Sequence, residues 1–195
     1  MNYLRIPALL PLALLMGGAP PEEARFDAQG RMAFPDGYRE WVFVTSGHGM
    51  SYNPVANAAA LAPFDNVFVN RAAYEAFKAT GHWPDGTVLV LEIHAASDKG
   101  SINVAGAFQS GTARGVEVHV RDSKRFKTQD GWAFFGFDPD KQAPAEKIAE
   151  SASCYSCHEQ HAAVDRTFVQ FYPTLLPIAK AKGTLSPAYV KEAGQ

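Results

Sequence analysis

The sequence predicts an α+β fold: a mainly antiparallel β-sheet with helices, in which a helix near the C-terminus carries the reactive side chains. Three observations lead there. From Tyr38 to Phe137, about five or six segments rich in aromatic and β-branched residues follow one another, joined by turn residues rather than long helices. After Pro144 the composition changes to helix formers, AEKIAESASCYSCHEQH. The length of 195 residues, 47% of them hydrophobic and 19% charged, suits one globular domain, residues 25–195, that buries a core without staples.

The chain opens on an expected signal peptide, residues 1–24. Arg5 supplies a positive start, Ile6 to Met16 an apolar run, and Gly17-Gly18-Ala19 small residues suited to cleavage between 19 and 24. Pro7 and Pro11 interrupt a run already short for a bilayer span. The alternative, an uncleaved anchor, also puts the folded part outside the cytoplasm. A periplasmic location is therefore expected.

YREWVFVT (38–45) and NVFVN (66–70) read as strands, with a loop containing Gly47, Gly49 and Pro54 between them. Asn70 is placed to cap a helix over RAAYEAFKAT, which Gly81 would end. Pro84-Asp85-Gly86 turns the chain into the strand TVLVLEI (87–93). Further strands are expected near 104–108, over GVEVHVR (115–121) and over WAFFGF (132–137). A helix from Pro144 through the cysteines, a second helical stretch over 162–171, and a loosely held tail from Lys180 complete the expectation.

A formal net charge of −2, with no long run of Lys or Arg, argues against nucleic acid as a partner. The chemistry gathers at Cys154-Tyr155-Ser156-Cys157-His158, which holds the only two cysteines. Cys-x-x-Cys-His is the attachment signature of a c-type haem: two thiols add to the porphyrin vinyls and the adjacent imidazole reaches the iron. Three rivals stand beside it. A redox dithiol would place its cysteines early in the fold, at the start of a helix. Zinc could draw on Cys154, Cys157, His158 and His161, but adjacent ligands at 157 and 158 fit one tetrahedral ion poorly. A disulfide would close too small a loop to stabilise much. The expected cofactor is one covalently attached haem c with its iron, His158 being the proximal ligand.

No Met follows the motif, so Met50 is the one serious methionine candidate for the opposite face of the iron. His48, His82, His94 and His119 are scattered alternatives. An open distal site is the preferred reading.

These residues carry a resemblance to the cytochrome P-460 family, which includes the non-crosslinked cytochrome c′-beta. It rests on Tyr-Arg-Glu-Trp at 38–41, Tyr74 through Asp85-Gly86-Thr87, Asp122-Ser123-Lys124-Arg125-Phe126, Trp132-Ala133-Phe134, and the haem motif followed by Asp165, Phe168 and Phe171-Tyr172-Pro173. The resemblance implies a mainly antiparallel sheet, a homodimer, and a five-coordinate haem on His158. In the hydroxylamine-oxidising members a lysine on the strand after Asp-Gly-Thr is joined to the porphyrin. Here that position is Leu91, which cannot form the bond.

Strand alternation puts Leu89, Leu91 and Ile93 on one face as candidates for the distal wall, and Glu92 on the other. The same three residues would equally suit plain sheet core. Two functions follow. One is a haem protein that binds a small diatomic or nitrogenous ligand such as nitric oxide, resembling cytochrome c′-beta. The alternative is an oxidoreductase acting on hydroxylamine or nitric oxide, served by a periplasmic electron-transfer partner. A plain electron-transfer cytochrome is disfavoured by the missing downstream methionine.

Overall fold

The computed structural model describes residues 22–51 and 61–194. The expected signal peptide therefore falls almost wholly outside the described residues, as does Pro54.

Five strands form one antiparallel sheet in sequence order: β1 (Val42–His48), β2 (Phe64–Val69), β3 (Val88–Ser97), β4 (Phe108–Arg121) and β5 (Trp132–Phe137). Four helices accompany it: α1 (Arg71–Thr80), α2 (Ser153–His161), α3 (Leu176–Lys182) and α4 (Pro187–Ala193). The α+β expectation holds. Two apolar layers sandwich the sheet. One face, with Val88, Val90, Val116, Val118, Val120 and Phe135, is covered by the N-terminal segment through Met32, Phe34, Tyr38 and Trp41. The other, with Val69, Leu89 and Trp132, is covered by Phe77 of α1 and by the C-terminal segment through Val164, Val169, Tyr172 and Leu175.

The helix expected over 71–80 forms as drawn. Gly81 ends it in the left-handed region at φ 80°, donating its N–H to the Phe77 carbonyl at 2.7 Å. Asn70 occupies the cap position but its side chain works elsewhere. Its Nδ2 donates to the Gly86 carbonyl at 3.0 Å, and its Oδ1 accepts from Val88 N at 2.9 Å. It thus ties the start of α1 to the start of β3.

Several expected elements differ. Tyr38–Glu40 form a 3-10 turn, so β1 starts only at Val42. The strand expected near 104–108 is absent: Val104 is 97% exposed, and the fourth strand starts at Phe108 and runs on through GVEVHVR. Instead of a helix, residues 144–149 are an extended strap that ends in a turn, where Ala152 N donates to the Ala149 carbonyl at 2.9 Å. Ala145 and Met32 exchange N–H···O bonds of 2.8 Å in both directions, and Ile148 N donates to the Phe134 carbonyl at 2.9 Å. The strap covers the exposed edge of β5, where its own amides find partners. Of the second helical stretch only the turn Val169–Phe171 is helical. The tail is held, too. Ser186 caps α4 by accepting from Tyr189 N at 3.1 Å, and its hydroxyl donates to the Ala162 carbonyl at the end of α2 at 2.7 Å.

Candidate functional site

Sheet register builds the site in three rows across one face. The first row is Val42–Val69–Leu89–His119–Phe134, the second Thr45–Val67–Leu91–Glu117–Gly136, and the third Gly47–Asp65–Ile93–Gly115. Over these rows, walled by Thr167, Phe168, Phe171 and Tyr172, lies a cleft of about 280 Å³. Its lining includes Leu89, Leu91, Val67 and, from α2, His158. Ile93 shares the face but does not line the cleft; its Cδ1 lies over Gly115. Two of the three expected distal residues therefore meet His158 in one cavity.

The helix that carries the motif starts later than expected, at Ser153, and is short. Cys154 and Cys157 lie three apart, hence on one helical face, both half-buried with unbonded thiols. Burial, joined by the charges of Cys154 and Glu192, raises the Cys157 thiol above its ordinary pKa. The ring of Tyr155 anchors the helix to the sheet, edge-on to Phe134 at 4.9 Å, with its hydroxyl donating to the Ile148 carbonyl at 3.1 Å.

His158 is held between Phe134, Phe168 and His119, with ring centroids 4.7, 4.2 and 5.0 Å away. Its Nδ1 lies 2.7 Å from the Arg166 carbonyl. A carbonyl can only accept, so the proton sits on Nδ1 and Nε2 keeps its lone pair. Burial lowers its pKa to about 4, outweighing the upward pull of the Arg166 carbonyl and helped by the Arg166 charge. The imidazole is neutral, the state a metal ligand needs. His119 is likewise held neutral, its pKa pushed far down by burial and then by His158 and Arg166. It stacks on Phe134 at 3.9 Å, and its Nε2 is buried without a partner among the described residues. A polar atom left so beside the cleft is one that a bound group would meet. His158 alone of the motif lines the cleft, with the two thiols on the same short helix; two thiols on one helical face and a neutral imidazole with a committed Nδ1 are a donor set that suits a haem.

The remaining candidates separate. Met50 lines the cleft at 45% exposure, its sulfur lying where a Cβ on Gly47 would stand 2.6 Å away. His119 also lines it, on the same side as His158. His48 stacks on Phe64 at 4.4 Å, His82 faces Asp165 at 3.1 Å, and His94 lies on the opposite face, 3.0 Å from Glu92. His161 Nδ1 pairs with Glu192 at 2.9 Å, and no group of three or more potential ligands among the described residues is arranged to hold a metal ion. The zinc reading gains nothing.

Sequence reasoning missed two carboxylates. Glu117 stands opposite Leu91, Asp65 stands one row on, and both line the cleft. Burial raises the Asp65 carboxyl, and the Glu117 charge raises it further. The expected apolar wall is thus apolar at Val67, Leu89 and Leu91 and acidic beside them. Alternation within GVEVHVR put Glu117 and His119 on one face, but only the register shows which face. Glu92 points away, as expected. It is buried on the far side, accepting from Tyr38 Oη, from Arg39 and from His94.

The model of the cytochrome P460 family matches residues 35–169. The chain belongs to the cytochrome P460 family. No curated protein matches it. Membership in the cytochrome P460 family implies a haem cofactor and supports a c-type haem protein. The matched span takes in all five strands, the motif at 154–158 and the Arg166 carbonyl that faces His158.

Proposed function

We propose that residues 25–195 form an exported, periplasmic mono-haem protein whose haem is bonded to Cys154 and Cys157, ligated by His158 and open on its other face to small ligands such as nitric oxide. The observation that carries this reading is the shared cleft: a neutral imidazole with Nδ1 committed opens onto Val67, Leu89 and Leu91. When bound, the haem would supply a ferrous iron able to take a neutral diatomic ligand. The three aliphatic residues offer no hydrogen-bond donor to such a ligand. Leu91 stands where the resembled hydroxylamine oxidisers carry their crosslinking lysine, which favours cytochrome c′-beta as the nearer likeness. A homodimer and a periplasmic electron-transfer partner belong to the same proposal.

A second reading has its own support. Asp65 and Glu117 line the cleft, and Asp65 is biased toward keeping a proton, so the pair could accept protons from a nitrogenous substrate such as hydroxylamine. Turnover decides between the two. Ferric protein with hydroxylamine and an electron acceptor is expected to show no sustained reduction, while ferrous protein takes up nitric oxide in a simple spectral titration. Steady hydroxylamine-dependent reduction, abolished by Glu117→Gln and by His158→Ala, would establish the oxidoreductase instead.

A further inference from the structure

We infer that the two-residue turn Asp165–Arg166, neither residue of which lines the cleft, is the positioning element of the proximal imidazole, setting the electron donation of His158 toward iron. The inference rests on the haem reading above.

The turn is unusual for its second residue. Val164 and Thr167 pair across it, with Thr167 N donating to the Val164 carbonyl at 2.7 Å and Val164 N to the Thr167 carbonyl at 3.3 Å. Both central residues have positive φ, 45° at Asp165 and 57° at Arg166. That is the geometry of a type I′ turn, which favours Asn or Asp at its first central position and Gly at its second, because a Cβ in the left-handed region crowds the following carbonyl oxygen. Asp165 suits its position, but Arg166 stands where Gly is preferred and persists only when its surroundings over-determine it, and such strain concentrates at functional positions.

The surroundings do so from both sides. The Asp165 carboxylate accepts from Trp83 N at 2.9 Å and lies 3.7 Å from the Arg121 guanidinium on β4. The neighbouring Thr167 hydroxyl accepts from Trp83 Nε1 at 2.8 Å and donates to the Val164 carbonyl at 2.7 Å. On the other side Arg166 Nε donates to Asp130 at 2.8 Å and Nη2 to Glu159 at 3.4 Å, with the side chain only 14% exposed. What this clamping fixes is the Arg166 carbonyl, 2.7 Å from His158 Nδ1. A turn that merely reversed the chain would place no demand on that oxygen. Accepting the Nδ1 proton fixes the tautomer and makes the other nitrogen a stronger donor, the usual work of a group behind a metal-bound histidine. A stronger donor favours ferric iron and stiffens the iron–imidazole bond.

The test uses the exported holo-protein, with haem content checked by denaturing mass spectrometry, and compares wild type, Asp165→Ala, Asp165→Asn and Arg166→Gly. Asp165→Ala removes the acceptor for Trp83 N and lets the carbonyl drift. The ferrous-to-ferric ratio at fixed potential should rise about tenfold, equivalent to about 59 mV for a one-electron couple, and the ferrous iron–histidine stretch should fall in frequency. Asp165→Asn keeps an acceptor oxygen and should restore most of both signals. Arg166→Gly relaxes the left-handed residue but loses its side-chain clamp, and should move both signals in the same direction by less. If Asp165→Ala does not yield holo-protein, the other two variants decide. Full haem loading with unchanged potential and stretch in every variant obtained, whatever happens to melting temperature, overturns the positioning role. A wild-type protein without haem, or with iron not ligated by His158, overturns the haem reading first and is recognised before any variant is made.

Discussion

Replacing Glu92 by alanine should damage the fold and spare the chemistry. Glu92 is 2% exposed and accepts from Tyr38 Oη, from Arg39 and from His94 Nε2 on the sheet face away from the cleft. The partners are not equal. The Arg39 side chain is 60% exposed and rehydrates when released, so its ion pair contributes little. Tyr38 and His94 are buried and would each keep a donor with no acceptor, at about 1–3 kcal/mol apiece. A loss of about 3 kcal/mol is therefore expected, which at about 2–4 °C per kcal/mol for a domain of this size lowers Tm by about 6–12 °C. Circular dichroism melts of wild type and Glu92→Ala measure it. Ligand-binding spectra of the folded variant should match wild type. A Tm within about 2 °C of wild type would refute the reasoning, since it would leave no room for even one stranded buried donor. The pH dependence follows. Burial alone would raise the Glu92 carboxyl, but the Tyr38, Arg39 and His94 hydrogen bonds outweigh it and hold its pKa below the ordinary value. A carboxyl depressed in the folded state gives stability that is present above the unfolded pKa of about 4.3 and lost as pH falls through the folded value. The gap in Tm between wild type and Glu92→Ala should accordingly narrow under acid below about pH 4.

Three further outcomes are expected. Cys154→Ala and Cys157→Ala should each leave haem bonded through one thioether or lost on denaturation, read as the mass of the unfolded chain, whereas wild type is expected to carry one haem per chain. The reduced protein should lack the red-shifted band of the crosslinked relatives if, as the resemblance implies, Leu91 stands in place of their lysine, since no lysine lines the cleft among the described residues. A tryptic peptide with haem on Lys78 or Lys99 would contradict this. Gly47→Ala should push the Met50 side chain off β1, because its sulfur lies 2.6 Å from where the new Cβ would stand, and so change the nitric oxide association rate while Tm moves little. An unchanged rate would mean that Met50 does not guard the mouth of the cleft.

What the sequence made legible was what local chemistry decides. WAFFGF, the helix over 71–80 with its glycine stop, and the proximity of two thiols to His158 all depend on residues near one another in the chain. Where distant partners decide, reading along the chain failed. AEKIAE has helix-forming residues, but Met32 and the edge of β5 offer its amides bonds that hold it extended, and tertiary pairing overrides propensity. The tail looks polar and loose until the Ser186 hydroxyl meets the Ala162 carbonyl. Glu117 carried no signal of its own, since its alternation with His119 was visible but the strand it faces was not. The Arg166 carbonyl could not be found at all, because a backbone oxygen has no sequence identity.

The division between Leu91 and Glu92 depends on a detail of register. β3 and β4 pair without interruption from Val88↔Val120 to Ile93↔Gly115, and the irregularities begin only after Ile93, where the partners jump to Ala113 and then Ser110. The extra residues on β4, Arg114 and then Gly111 and Thr112, therefore lie outside the stretch that lines the cleft. Gly111 permits the second of these irregularities with its φ of 55°. Had one extra residue fallen between Glu117 and His119 instead, Glu117 would turn to the face where Glu92 is buried among Tyr38 and His94, setting two carboxylates in an apolar layer. Confining the bulges to the far end of the strand keeps His119 under His158 and Glu117 beside Leu91. One end of the hairpin absorbs the irregular geometry so that the other end can present an aliphatic wall and an acid in fixed alternation.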